Sequence, residues 1–339
     1  MFEVIAPGLA TTVQDVGRSH GQALGIPPSG AQDAFSLRVA NLLVGNPHGG
    51  QLILRDDPGA AGLEMLLIGP KLRALVPCVV AVTGADMAPL INGVAAPLWQ
   101  ALALKADDVL SFAAPTQGAR AYLAVHGGID VPLYLGSRAT HVRGGFGGFE
   151  GRALKAGDRL KIGRATQRLG DLIGRRVRPE VIPQYAPPHR VRVIKGPEDH
   201  LFAPGSVELF FSADWRLNVK SDRTGFRYIG PPLEFSPGQR PDYLIQDAGA
   251  DPSNIVIDPG APVGTIQVPS GVEPIVLGVD APSIGGYARI GVVITVDMAA
   301  VGQTRPGEAT RFVPVSHDEA VQALRAQEML INDSSLAGV

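Results

Sequence analysis

Ala74-Leu75-Val76-Pro77-Cys78-Val79-Val80-Ala81-Val82-Thr83 contains the longest apolar run in the chain. Pro77 breaks it far short of the roughly 20 residues that cross a membrane as a helix. The part after the proline is short and rich in β-branched residues, so Cys78 to Thr83 predicts a buried strand. Runs of the same kind recur on either side of it, bounded by turn residues. Leu63 to Ile68, Asp107 to Phe112, Ala121 to Val125 and Asp158 to Ile162 lie in the first half. Arg190 to Ile194, Trp215 to Val219, Thr265 to Val268, Pro274 to Leu277 and Ile290 to Val296 lie in the second. Short strands without regular intervening helices argue for barrels or sandwiches rather than a doubly wound sheet. The 42 Gly and 29 Pro in 339 residues agree, because both punctuate short strands.

Two helices interrupt this pattern. Ser29 followed by Gln32 predicts a capping box, and Phe35, Val39 and Leu42 follow at helical spacing until Gly45-Asn46-Pro47. Ser316 and Glu319 form a second capping box, with Val321 and Leu324 on one face of a surface helix expected to close the chain. The stretch 166–189 mixes charge with Pro179, Pro183, Pro187 and Pro188 and is expected to be a linker. The resulting domains are 1–165 and 190–339, the second carrying the terminal helix.

Composition excludes several functions. A net charge of −2 without a basic run gives no footprint for nucleic acid. The start, Met1 to Gly8, lacks the charged and apolar segments of a secretory signal, and a cytoplasmic protein with no membrane partner is expected. One cysteine, Cys78, can build neither a disulfide nor a thiolate metal site, and its neighbours predict a buried thiol. The seven histidines are not paired at ligand spacing, so no metal is expected. There is no G-x-x-x-x-G-K-[ST] loop. The run Gly144-Gly145-Phe146-Gly147-Gly148 lacks a strand-to-helix context for dinucleotides and reads as a flexible turn.

What remains is a set of polar residues framed by glycine. Asp15 and Arg18 flank Gly17, and Asp222 and Arg223 precede Gly225. Each pair either locks its own turn, the commoner use of such pairs, or leaves backbone donors open to an anionic or amide ligand. Ser137-Arg138 follows Gly127-Gly128-Ile129-Asp130-Val131-Pro132, while Gln267 sits on a strand and Tyr287 follows a glycine pair. Spacing alone leaves site and scaffold equally open for these.

The ordered segments together resemble the family named after allophanate hydrolase subunit 2, also described as biotin-dependent carboxyltransferase-like. The segments that carry the likeness are Pro7 to Arg18, Ala40 to Pro47, Thr83-Gly84-Ala85-Asp86, His126 to Pro132 and Leu135-Gly136-Ser137-Arg138. In the second half they are Ser221 to Gly225, Gly264 to Pro269 and Gly285-Gly286-Tyr287. Departures stand beside them: an insertion around Gly50 to Pro58, Ala139 where serine is common, Ser270 in place of a second proline, Ser283-Ile284, and Ala288.

The resemblance implies a mainly β fold of two cyclophilin-like β-barrel domains with a few short helices. It implies a subunit of an ATP-dependent 5-oxoprolinase, which opens the lactam to glutamate together with cognate B-type and A-type subunits. ATP is the implied cofactor, held by this chain or shared with a partner. The alternative is the carboxyltransferase component of a urea (amide) carboxylase, taking carboxybiotin from another chain. None of the five methionines adjoins a lysine, so no biotin-attachment motif is present in the sequence. A third possibility is a non-enzymatic regulatory binding subunit. In the enzymatic readings Asp15, Arg18, Asp222 and Arg223 are the expected catalytic groups, carboxylates moving protons and arginines stabilising negative charge. Gln14, Asn41, Ser137, Arg138, Ser221, Gln267 and Tyr287 are the expected substrate-binding residues.

Overall fold

The computed structural model describes residues 1–50, 56–236, 261–271 and 273–337, so most of the insertion expected around Gly50 to Pro58 lies outside the described residues. The chain is mainly β and divides into two compact units. The first comprises residues 1–20, 28–185 and 326–339, and the second comprises 21–27 and 186–325.

In the first unit, five antiparallel strands lie in the order Ala10–Gln14, Gly62–Leu66, Gln117–Val125, Cys78–Asp86, Ala101–Leu104. A six-stranded sheet runs Arg159–Leu160, Phe2–Ala6, Lys71–Ala74, Val109–Ser111, Leu90–Ile91, Val94–Ala95. The Cys78–Asp86 strand is buried on both faces, which explains why its apolar run has no polar alternation. Val80 and Val82 point into a core with Phe2, Val4, Leu72 and Leu110 of the six-stranded sheet. Val79 and Ala81, on the opposite face, pack under Phe35, Val39 and Leu43 of α1, Ala34–Leu43. A strand covered on two sides reads as a continuous apolar stretch. Each such buried valine stabilises the fold by roughly 1.5–3 kcal/mol relative to exposure.

Helix α1 begins later than its expected cap. Ser29 takes a positive φ of 53°, and Ala31 N–H donates to the Asp15 carbonyl at 2.8 Å, tying residues 29–32 to the preceding turn. Asp33 is the cap instead, accepting from Ser36 N–H at 3.0 Å. The 166–189 stretch also differs from a linker. Leu172, Val177 and Val181 are buried in the core beneath α1, and Arg176–Val177 pairs with Leu336–Ala337. The chain therefore does not close on a helix, because its last described residues return as a strand in the first unit.

The second unit is built on a closed seven-stranded barrel. Its strands run in the order His189–Lys195, Arg289–Val293, Thr265–Gln267, Ile275–Leu277, Gly225–Ile229, Trp215–Leu217, Ala309–Pro314. The last closes in parallel on the first, from His189 opposite Thr310 to Val193 opposite Pro314. Val191, Phe226, Tyr228, Ile266, Val276 and Phe312 belong to its core. Two short helices accompany it, α2 at Pro204–Ser212 and α3 at Met298–Gln303. No sequence signal announces α2, whose Phe210 stacks on Phe312 at 4.8 Å. Helix α4, His317–Glu328, carries the expected reciprocal cap: Ser316 N–H donates to Glu319 at 2.7 Å and Glu319 N–H to Ser316 Oγ at 3.2 Å.

Candidate functional site

Asp15 directly follows the Ala10–Gln14 strand and is fully buried. Its Oδ1 accepts from Gly17 N–H at 2.8 Å and from Ser137 Oγ at 2.7 Å, and its Oδ2 accepts from Arg138 N–H at 2.5 Å. Burial raises its pKa, while the donors from Ser137, Arg138 and Gly17, and the Arg18 charge, pull it down. Two segments 122 residues apart in sequence are thus fastened through one carboxylate. Arg18, also buried, donates to the Ala139 carbonyl at 2.6 Å and lies 5.2 Å from the centre of the Phe146 ring. Gln14 donates to Thr140 O at 3.1 Å and to Thr12 Oγ1 at 3.0 Å.

Arg138 leaves this hub toward a cavity. Its Nε donates to the Val131 carbonyl at 2.9 Å, and its two Nη groups make no hydrogen bond among the described residues. The cavity encloses about 530 Å³ and is lined by Arg138, Asn46, Asp57, Gly127, Gly128 and Arg164 among others. The glycine pair has positive φ angles of 92° and 71°, and a Cβ on Gly127 would strike the Gly163 carbonyl. Only glycine brings two backbone segments this close at that φ.

Asn41 serves the scaffold of this cavity. It donates to Ala60 O at 2.8 Å and accepts from Asn46 Nδ2 at 2.9 Å. Asn46 in turn accepts from Gly127 N–H at 2.8 Å. His126 is similarly committed, with Nδ1 2.7 Å from Val44 O and Nε2 accepting from Thr166 N–H at 3.1 Å. Cys78 is buried as expected, and burial pushes its thiol up to about 11.

The second unit uses similar residues differently. Asp222 accepts from Thr224 N–H at 2.8 Å and Gly225 N–H at 3.1 Å, so its carboxylate closes its own exposed turn. Arg223 pairs with Asp280 at 2.8 Å. Ser221 Oγ accepts from Arg227 N–H at 3.0 Å. Gln267 is buried on its strand, and a Cβ on Gly286 would fall on the Gln267 amide. Tyr287 is half-buried beside that contact.

Five expected site residues therefore converge in the first unit: Gln14, Asp15, Arg18, Ser137 and Arg138. Of these only Arg138 reaches the cavity wall. Asp57 and Arg164 join it without any sequence signal, since neither stands in a glycine-framed pair. Among the described residues no group of three His, Cys, Asp or Glu side chains could hold a metal ion, and no helix is long and apolar enough to cross a membrane.

Residues 24–314 match the family described as carboxyltransferase domain, subdomain A and B. The chain is 36% identical to the C-type subunit of 5-oxoprolinase from Escherichia coli, over 97% of this chain and 96% of that one. It is also 36% identical to urea amidolyase of Lachancea kluyveri, over 97% of this chain but only 18% of that enzyme's length. The crystal structure of Kluyveromyces lactis urea carboxylase superposes with a TM-score of 0.85 at 33% identity, covering 100% of this chain and 30% of the other. A match of this extent, joined to the seven-stranded barrel and the fastened glycine segments, makes the chain a member of the carboxyltransferase-domain family that includes the C-type subunit of 5-oxoprolinase.

Proposed function

We propose that this protein is a subunit of an ATP-dependent 5-oxoprolinase and binds the lactam in the first-unit cavity. The observation that carries this reading is Arg138, held by Asp15 and Val131 with its Nη edge directed to no carboxylate among the described residues. A planar guanidinium recognises a carboxylate by two parallel hydrogen bonds, and 5-oxoproline carries one beside its ring amide. Supporting it, nearly the whole of the bacterial C-type chain has a counterpart here. In this reading Arg138 contacts substrate, and Asp15 and Ser137 position it. Arg18 holds the adjoining backbone. Asp222 and Arg223 keep the second-unit turn in shape.

The test is reconstitution. The purified protein is mixed with B-type and A-type partner subunits, 5-oxoproline and ATP, and glutamate and ADP are followed with and without avidin. Glutamate that appears only when all subunits are present, and is indifferent to avidin, supports the proposal.

A second reading is carboxyl transfer, favoured by the family's description and by the likeness to urea carboxylase. The same Arg138 would then receive the carboxylate of carboxybiotin presented by another chain. Avidin-sensitive carboxylation of urea or a related amide would establish it in place of the first. Complex formation without turnover would leave the regulatory role.

A further inference from the structure

Of the run Gly144 to Gly148 the site above uses only the Phe146 ring, and the structure gives the run a definite shape. His141 N–H donates to Phe146 O at 2.9 Å, closing a tight hairpin. A Cβ on Gly147 would strike the Ala139 carbonyl, and one on Gly148 would strike Thr140 Oγ1. The hairpin is therefore pressed onto the segment that follows Arg138, which is more than a flexible turn would show.

This hairpin forms one wall of a second cavity in the first unit, of about 570 Å³. Phe146 and Tyr134 line it, stacked with centroids 4.7 Å apart and planes 30° from parallel. The Arg18 guanidinium lies 5.2 Å from the Phe146 ring centre and helps fix the ring. Tyr134 is 42% exposed, so part of its aromatic surface is available. Arg159 and Lys161 also line the cavity. Leu160 between them is fully buried, so strand alternation turns both cations outward on the same side.

Neither cation makes an ion pair or a side-chain hydrogen bond among the described residues. The nearby acids do not supply one. Glu3, opposite Arg159 in the strand ladder, is paired with Arg73 at 2.9 Å. Glu150, on the cavity wall, shares Arg152 with Asp158. Asp130, also on the wall, makes no ion pair among the described residues, so two open cations face one open carboxylate. An aromatic surface beside two cations without an ion pair among the described residues, in a concave space of this size, matches a flat ring with an attached anion.

We propose that this cavity is a second small-molecule site, taking a planar ring that carries a carboxylate or phosphate group. The ring stacks on Tyr134 and the anion pairs with Arg159 and Lys161. The proposal is independent of the 5-oxoprolinase reading, because its test measures binding alone.

The test is isothermal titration calorimetry on the full chain with naphthoate and adenosine monophosphate, against neutral naphthamide and adenosine. Saturable binding of naphthoate identifies a ring carboxylate as the ligand type, and of adenosine monophosphate a ring phosphate. In either case the neutral partner binds about tenfold more weakly. The double variant Arg159→Ala/Lys161→Ala loses about the same factor, and Tyr134→Leu weakens the anion by several-fold while circular dichroism stays unchanged. All three side chains stand on exposed positions, which spares the fold. No saturable heat with either anion, equal affinity for charged and neutral partners, or unchanged affinity in the double variant would overturn the proposal.

Discussion

Two segments of this chain are spelled almost alike and behave as opposites. Gln14-Asp15-Val16-Gly17-Arg18 and Ser221-Asp222-Arg223-Thr224-Gly225 each set a carboxylate and a guanidinium beside a glycine. In the first, Asp15 is fully buried and its carboxylate directs two of three hydrogen bonds to Ser137 and Arg138, far away in sequence. In the second, Asp222 is exposed and both its bonds go to Thr224 and Gly225. The arginines do not part this way, since each reaches a residue far away in sequence. Arg18 is buried against Ala139 and Phe146, while Arg223 is tied to Asp280. The difference teaches that a glycine-framed Asp–Arg pair is a local word whose meaning depends on what the fold brings to it. Where a distant segment reaches the carboxylate, as Ser137 and Arg138 reach Asp15, the Asp fastens it; where none does, as at Asp222, the Asp closes its own turn.

The comparison is broken most forcefully at Asp15. Asp15→Ala leaves two buried donors and one part-buried donor without their acceptor, the buried ones costing roughly 1–3 kcal/mol each, so the variant should lose about 3 kcal/mol after partial relaxation. Urea unfolding checks this, and a loss below about 1 kcal/mol would mean the clamp is dispensable. Asp222→Ala should lose only about 0.5–1 kcal/mol, since water can replace an exposed turn acceptor. Comparable losses at the two positions would erase the distinction.

A smaller effect sharpens it through pH. Burial raises the Asp15 pKa above its ordinary 3.8 in the folded protein. The unfolded chain then releases this proton first as pH rises, so the folded state binds more protons and its stability falls across that window. The margin of the wild type over Asp15→Asn should therefore shrink as pH increases from about 4 toward neutrality, measured by denaturant melts at fixed ionic strength. A margin that widens instead would mean that the surrounding donors outweigh burial.

Most of the strands are legible in the sequence because their signal is local. Cys78 to Thr83 and Ala121 to Val125 are apolar and β-rich enough to stand out without neighbours, and they pair as Val80 opposite Val125 and Val82 opposite Leu123. Helix α4 is legible for the same reason, through the Ser316–Glu319 cap. Helix α1 is legible in its body but not at its start, because what delays it is a bond from Ala31 to Asp15 rather than a property of Ser29 and Gln32. Helix α2 is hidden, since Pro204-Gly205-Ser206 has the look of a turn and its reason to form is tertiary, the stacking of Phe210 on Phe312. The 166–189 stretch resembles a linker because its prolines are visible, whereas the burial of Leu172, Val177 and Val181 depends on partners elsewhere.

The site divides along the same line. Asp15, Ser137 and Arg138 stand out as polar residues in glycine-framed segments, but their mutual contact needs the fold. Asp57 and Arg164 reach the cavity with nothing in their local sequence to single them out. Asn41 and His126 stand in equally suggestive segments and are bonded into the scaffold.

The central claim, that the first-unit clamp holds Arg138 toward substrate while the second-unit pair keeps a turn, is tested most directly by one steady-state comparison. Arg138→Gln and Asp222→Ala are each assembled with partner subunits, and kcat and KM for 5-oxoproline are measured beside the wild type. Losing a bidentate guanidinium–carboxylate contact should lower kcat/KM for Arg138→Gln by roughly 100-fold, about 2.7 kcal/mol, chiefly through KM, with Asp222→Ala within about threefold of wild type. Equal activity of Arg138→Gln and wild type, or a larger loss at Asp222 than at Arg138, would contradict the account.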